Sequence, residues 1–465
     1  MATNHSSLPI VWHSEADPAV YELARVGRVF NHRRPKRYPI AVVEATEESH
    51  IVDAVRLAVE RGCRVSVRSG GHSWAAWSVR DEAILIDLGK YHLIDLDESR
   101  RTVSVSPSTT GRMLNGFLDG KGLMFAGGHC PDVGLGGFLL QGGMGWNCKN
   151  WGWACEKVLA VDVVTAKGDL VRCDSKHNSD LFWAARGSGP GFPGVVTKFH
   201  LEVRPKYSNM LSSTFIYPIS EYRRVMDWIL KIHSTYDEDT EVVAVGATPP
   251  GMSSPCIVSL FVTFKNTQEE AEKALSLANK TRPEGPLVEL VNQPTSLAKE
   301  YQDQATANPE GHRYCAENGY IKNDADVASV LEEAFTTPPH PKAFSLWYSM
   351  APTSRRKLPD MALSMQSDHY FALYTVWEDE DDDVRCLKWV RDIMKDVERH
   401  SEGAYLGDSD FQVRRTKFWS DENAKRLMRI RRAQDPKGTI CGYLDVNDAS
   451  GVEGLANEHE WQAKS

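Results

Sequence analysis

The chain is expected to fold as an α+β protein in two domains, and three observations lead there. Its 465 residues, 42% of them hydrophobic, exceed what one core comfortably holds. Up to about residue 206, β-branched runs alternate with short helical stretches and glycine-rich loops. From about 207 to 410, longer β-runs with alternating side chains interleave with amphipathic helices.

The elements follow in order. "YPIAVVEATEESHIVDAVRLAVERGCRVSVRSGG" reads as strand, helix, strand. Thr46 is the expected N-cap, Glu47 and Glu48 favour the positive helix start, and Gly62 stands where the helix should stop. "AILIDL" and "TVSVSP" alternate as strands, and "TTGRMLNGFLDGKG" is helical. "VLAVDVVTAKGDLVRC" predicts a hairpin turning at Lys167–Asp169. "DLFWAARGSGPGFPGVVTKFHLEVRP" gives a short helix, a glycine loop and a strand ending at Pro205. In the middle region "CIVSLFVTF", "KAFSLWYSM" and "YFALYTVW" are strands of a sheet with one exposed face. "EEAEKALSLANK", "VASVLEEAF" and "VRCLKWVRDIMKDVERH" are its helices, the last preceded by the solvated acidic run Glu378–Asp383. Trp347 and Tyr348 alternate, so at most one faces a pocket. The tail forms a helix stopped at Asp435-Pro436.

Composition narrows the function. A net charge of -9 argues against nucleic acid or an anionic membrane as partner. No window approaches a membrane span, and the first residues lack the basic start and apolar run of a signal peptide. Nine scattered cysteines form no disulfide framework, which together points to a reducing, cytoplasmic setting. Two Asn-X-Ser/Thr acceptors, at Asn4 and Asn279, stand slightly against it.

Two glycine loops carry the chemistry. Ser69–Ser73 follows a β-run and ends beside His72; "GGHCPDVGLGGFLLQGGMGW" (Gly127–Trp146) opens on Cys130. The second loop fails the dinucleotide pattern, because the sixth position from Gly134 is Leu139, and no Gly-Lys-Ser/Thr follows either loop. Neither Cys-X-X-Cys nor a histidine cluster offers a zinc or other metal site. A Cys-His hydrolase remains open in principle, although Pro131 directly after Cys130 removes the usual helix start behind such a nucleophile. A cofactor explains more. Two loops of backbone N–H groups can line one long anionic ligand, while imidazole and thiolate are the nucleophiles able to add to an electron-poor flavin.

"VRSGGHSW", "GGHCPDVGLGGFLLQGGMGW", "KHNSDLFWAARGSGPGF" and "GVVTKF" together resemble the vanillyl-alcohol-oxidase-type flavoproteins, within them the berberine-bridge-enzyme and 6-hydroxy-D-nicotine-oxidase-like group. The likeness covers most of 35–205 and about 403–440. It implies a discontinuous PCMH-type FAD-binding domain, 1–206 with a C-terminal return at 411–465, and a substrate domain, 207–410. It implies FAD joined covalently to His72 and Cys130, with Arg68, Ser69, Gly70, Gly71 and Ser73 around the pyrophosphate. Gly134, Gly137, Gly142, Gly143 and Gly145 would pack on the ring and ribityl chain, and Val196 along the adenine. Val133 falls where the family gates dioxygen, and its small side chain fits an oxidase.

The departures lie in the tail. Gly407 in "AYLGDSD" stands where the family has Asn, and Trp419 in "FWSDEN" replaces Tyr; Asn423, Arg426 and "QDP" match. Tyr405 is the leading proton-accepting group, followed by Asp410 and His369, and His129 is read as a packing neighbour. The implied reaction removes hydride from a carbon bearing OH or NH in a bulky small molecule, a secondary metabolite or carbohydrate, with dioxygen as final acceptor and peroxide as product. The alternatives are an oxidative cyclase or dehydrogenase on the same scaffold, and a flavoprotein without catalysis.

Overall fold

The computed structural model describes residues 8–411 and 413–442; the acceptor Asn4 and the end of the C-terminal return lie outside them. The first layer is a four-stranded sheet. Strands Ala41–Glu44, Ala83–Asp87 and Arg64–Arg68 run parallel, in that spatial order, with Ile10–Trp12 antiparallel at the edge. Helix Glu48–Arg61 covers it, burying Ile51, Ala54, Val55 and Ala58 against Val65, Ile84 and Ile86. Gly62 ends that helix in the left-handed conformation, φ 66°, its N–H bonded to the Ala58 and Val59 carbonyls. Thr46 is not its cap. Glu47 occupies that position without a side-chain bond, because the Thr46 hydroxyl turns instead to His50 Nδ1, 3.3 Å away.

Next comes a five-stranded antiparallel sheet in the order Ile94–Asp97, Thr102–Val105, Gly194–Glu202, Val158–Thr165, Leu170–Cys173. The expected hairpin closes at Gly168, φ 83°, with Val164 opposite Leu170. The first glycine loop leaves the end of Arg64–Arg68.

The largest layer is an eight-stranded antiparallel sheet. Its strands lie in the order Val288–Thr295, Asn209–Pro218, Cys256–Lys265, Thr240–Ala247, Phe344–Ser349, His369–Trp377, Arg313–Ile321, Ser401–Gly403. Helices Tyr222–Ile232, Gln268–Thr281, Val327–Thr336 and Asp383–Val397 back one face, around Ile229, Leu275, Leu331 and Val390. Asp383, the last acid of the charged run, is tied by Arg313 at 2.5 Å rather than simply solvated. The other face is not exposed, as the alternation had suggested. His369–Trp377 is buried at every position, because tyrosines 314, 320, 348, 370 and 374 close against Trp74, Met144 and Trp153 of the first half. Tyrosine gives the same alternation as a wetted face, since it carries a polar tip on an apolar body.

The chain then returns. Helix Asp421–Gln434 packs Leu427 and Met428 into the core around Trp183, and Ile440 bridges to Val65 of the parallel sheet. The molecule is therefore a two-domain α+β fold with a discontinuous first domain.

Candidate active site

The two glycine loops cross backbone on backbone. A Cβ on Gly70 would stand 2.4 Å from the Gly134 nitrogen, and one on Gly134 would stand 2.6 Å from the Gly70 nitrogen. Gly71 takes φ 80° against the Arg28 carbonyl, and its own carbonyl accepts from the Phe30 N–H at 3.0 Å. Only glycine allows this approach. The crossing opens a cavity of about 1220 Å³ between the two domains.

His72 and Cys130 both line it. The His72 ring stacks on Phe30 with centroids 4.5 Å apart. Burial lowers its pKa to about 4, so the imidazole is neutral and keeps a lone pair. Burial also pushes the Cys130 thiol up to about 12, with Asp408 and Asp132 adding to the shift. Ser69, Gly70, Gly71, Ser73, Val133, Gly134, Gly137 and Val196 line the same cavity.

Other expected contacts differ. The Arg68 guanidinium is consumed by Asp87 at 2.5 Å and by the Ala24 and Arg25 carbonyls, which leaves only its backbone for a ligand. Gly142, Gly143 and Gly145 sit one layer behind the wall; a Cβ on Gly145 would meet the Ala126 carbonyl oxygen at 2.2 Å. Asn423 donates to the Met361 carbonyl at 2.9 Å and so fastens the tail helix, away from the cavity. His369 belongs to the helix-backed side, where Nδ1 accepts from Trp347 Nε1 at 3.3 Å and the ring faces His233. Asp410 is wholly buried and paired with Arg33 at 2.7 Å, outside the cavity lining.

Tyr405 does line the cavity. Its hydroxyl accepts the Gly143 and Met144 N–H groups at 3.1 and 3.3 Å, and burial raises it far above the ordinary phenol range. Gly407 explains one departure, because a Cβ there would lie 2.4 Å from the Tyr405 ring. Trp419, the other departure, donates to the Gly187 carbonyl at 2.8 Å and is structural. Of Trp347 and Tyr348, only Tyr348 faces the cavity.

Two acids escaped the sequence reading. Asp408 lines the cavity and accepts from the Tyr370 hydroxyl at 2.6 Å, with the donor groups of Tyr374 and Trp74 near it. Burial raises its pKa above the carboxyl range, and those donors only partly offset it. Glu241 is nearly fully buried, accepting from the Asn147 N–H at 2.7 Å and meeting His129 Nε2 at 3.2 Å. Burial works against a charged His129, but the Glu241 carboxylate outweighs it and leaves the ring above the usual imidazole range. An acid on the cavity face of "TEVVAVGA", and tyrosines spaced i, i+4 on one strand, were the signals available.

The residues fit FAD. Backbone amides from both loops border the cavity, and no atom lies within 4 Å of where a Gly137 Cβ would stand. The volume exceeds the roughly 300–1,000 Å³ of an ordinary ligand pocket, leaving room for substrate beside a dinucleotide. Among the described residues no group of three or more His, Cys, Asp or Glu side chains is placed to hold a metal ion. No described helix is long and apolar enough to cross a membrane.

Fold and cavity together define an FAD-binding flavoprotein of the PCMH type. Residues 39–174 match the FAD binding domain family. The FAD-linked oxidoreductase janO of Penicillium janthinellum is 38% identical over 94% of this chain and 98% of its own length. The BBE-like 1 protein of Physcomitrella patens superposes with a TM-score of 0.79 at 18% identity, over 94% of this chain and 96% of that one. The 6-hydroxy-D-nicotine oxidase of Arthrobacter nicotinovorans gives 0.79 at 19% identity, over 94% and 98%. The chain belongs to the FAD-linked oxidoreductases, and its fold is that of the berberine-bridge-enzyme-like and 6-hydroxy-D-nicotine oxidase structures.

Proposed function

We propose that the protein is an oxidase that holds FAD covalently through His72 and Cys130 and removes hydride from a carbon bearing OH or NH in a bulky small molecule. The observation that carries this is the convergence of both nucleophiles, Tyr405 and Asp408 on one cavity at the domain boundary. Bound FAD would supply the two-electron acceptor, with dioxygen taking the electrons onward as peroxide. The chain's own groups do the rest. Asp408 accepts the heteroatom proton, steadied by the Tyr370 hydroxyl. Tyr405 stays a phenol; with two N–H groups already donated to its oxygen, its own proton is directed to the substrate heteroatom. Val133 lines the cavity, and its small side chain would leave dioxygen a way to the flavin. The tyrosine face and Trp74 exclude water around the reacting carbon.

The test is direct. Acid-precipitated protein should stay yellow, and peptides containing His72 and Cys130 should each carry the flavin mass. Unmodified forms of both peptides would sink the assignment. Oxygen uptake with an alcohol and amine panel should accompany peroxide formation; reduced enzyme that air leaves reduced would show a dehydrogenase instead.

A further inference from the structure

Beyond the tyrosine hydroxyls the cavity wall changes character. Alternation along Thr240–Ala247 turns Val243, Val245 and Ala247 into the cavity, while Val242 and Ala244 enter the helix-backed core. Neighbouring strands continue the pattern. Val243 lies opposite Leu260 and Tyr348, Val245 opposite Leu346, and Phe344 opposite Tyr374. Val243, Val245, Ala247, Leu260, Phe344 and Leu346 are all only half-buried, although they stand inside the molecule. Pro249, Pro250 and Pro341 extend this wall and have no N–H to offer. Thr248 and Lys342 are the polar members of this wall, and exposed polar side chains return with Asp303, Thr306 and Glu310. A wetted aliphatic tract of this extent marks a place where something apolar sits.

Its shape and chemistry select the occupant. The tract crosses three adjacent strands, roughly 10 Å at the ~4.8 Å strand spacing, which is too broad for a single alkyl chain. Sugar hydroxyls laid on it would leave water without finding partners. Glu241, two residues before Val243 on the same strand, already serves Asn147 and His129. We propose that the substrate is a broad, mainly apolar polycyclic molecule with one reacting hydroxyl or amino group, seated on this tract with that group at Asp408 and Tyr405. Of the two classes open to the oxidase reading, on which this inference rests, it takes the lipophilic one over the carbohydrate.

Trp74 and Trp146 line the cavity, so their fluorescence reports binding without turnover. The purified protein is titrated with testosterone, a rigid apolar tetracycle with one secondary alcohol, and with cellobiose. Testosterone should quench saturably, cellobiose should not, and Val245→Asn with Leu346→Asn should weaken testosterone at least tenfold with flavin content unchanged. Val245→Trp, which fills the tract and keeps it apolar, gives the same loss should the polar pair fold poorly. Absent testosterone binding, tighter cellobiose binding, or unchanged affinity in the folded variants would each overturn the proposal. A colourless protein that still binds testosterone would instead count against the flavin reading alone.

Discussion

The role proposed for Asp408 asks a buried carboxyl beside a hydroxyl donor to accept a proton, and its surroundings bear on how it could do so. Burial favours its protonated form, while the Tyr370 hydroxyl at 2.6 Å favours the carboxylate, so a modest change of surroundings moves the proton. The base is active when deprotonated. Because the pKa is raised, the rate of flavin reduction should fall as pH drops through a point above the ordinary carboxyl range. Asp408→Asn should lower that rate about 10²–10⁴-fold and abolish this acid limb. Anaerobic stopped-flow across pH decides it, and wild-type rates in the variant would place the base elsewhere. Tyr405→Phe separates the two roles: the rate should fall while the acid limb stays, with a stability change of about 1 kcal/mol in thermal melts. His72 and Cys130 were legible in the sequence because glycines and a nucleophile sit side by side there. Asp408 was not, since its character comes from a tyrosine 38 residues earlier in the chain. Asp410 was the acid named there, after Tyr405, yet its charge is spent on Arg33, 377 residues away.

At the level of elements, the loops are held by what their glycines lack. Gly134→Ala would drive a methyl to within 2.6 Å of the Gly70 nitrogen and 2.8 Å of its Cα, both backbone atoms that cannot step aside cheaply. Overpacking of this kind costs about 1–3 kcal/mol and here must part the two loops. The expected outcome is a protein with its sheets intact by far-UV circular dichroism but with little bound flavin. Full flavin content would show that the crossing is not needed for the cofactor. Strands and helices with strong periodicity, such as Glu48–Arg61 and Gln268–Thr281, were legible from spacing alone. Arg313–Ile321 was not, because "ENG" at its centre breaks the apolar pattern. Each of those residues is buried for a tertiary reason: Glu317 meets Arg414 at 2.9 Å, Asn318 Nδ2 donates to the Tyr405 carbonyl at 2.7 Å, and Gly319 leaves room for Ser401. Partners of that kind, remote in the chain, override local preference.

Across the whole molecule, the cavity exists only while the two domains stay closed, and one short segment does much of the fastening. Asn31 is fully buried between them. Its Nδ2 donates to the Trp74 carbonyl at 2.7 Å and to the Tyr314 carbonyl at 2.9 Å, while its Oδ1 accepts the Tyr314 N–H at 2.9 Å. Trp74 belongs to the loop that carries His72, and Tyr314 to the sheet that carries the tyrosine face. One amide thus ties the flavin side to the substrate side. Asn31→Ala removes these three bonds and a fourth, from the Arg33 N–H to Oδ1 at 2.9 Å, and leaves buried backbone groups short of partners, at about 1–3 kcal/mol for each group left unsatisfied. Because its bonds join the Trp74 loop to the Tyr314 strand, the loss falls on the contact between them. Wild-type protein should melt with flavin fluorescence and circular dichroism changing together, as the shared aromatic interface requires. In Asn31→Ala the flavin signal should change first, several degrees below the loss of secondary structure, with slower flavin reduction at every pH and the Asp408 acid limb in place. Coincident melts at the wild-type temperature would show that the tyrosine face alone holds the halves together, and the closing role would then pass to the Arg33–Asp410 pair beside it.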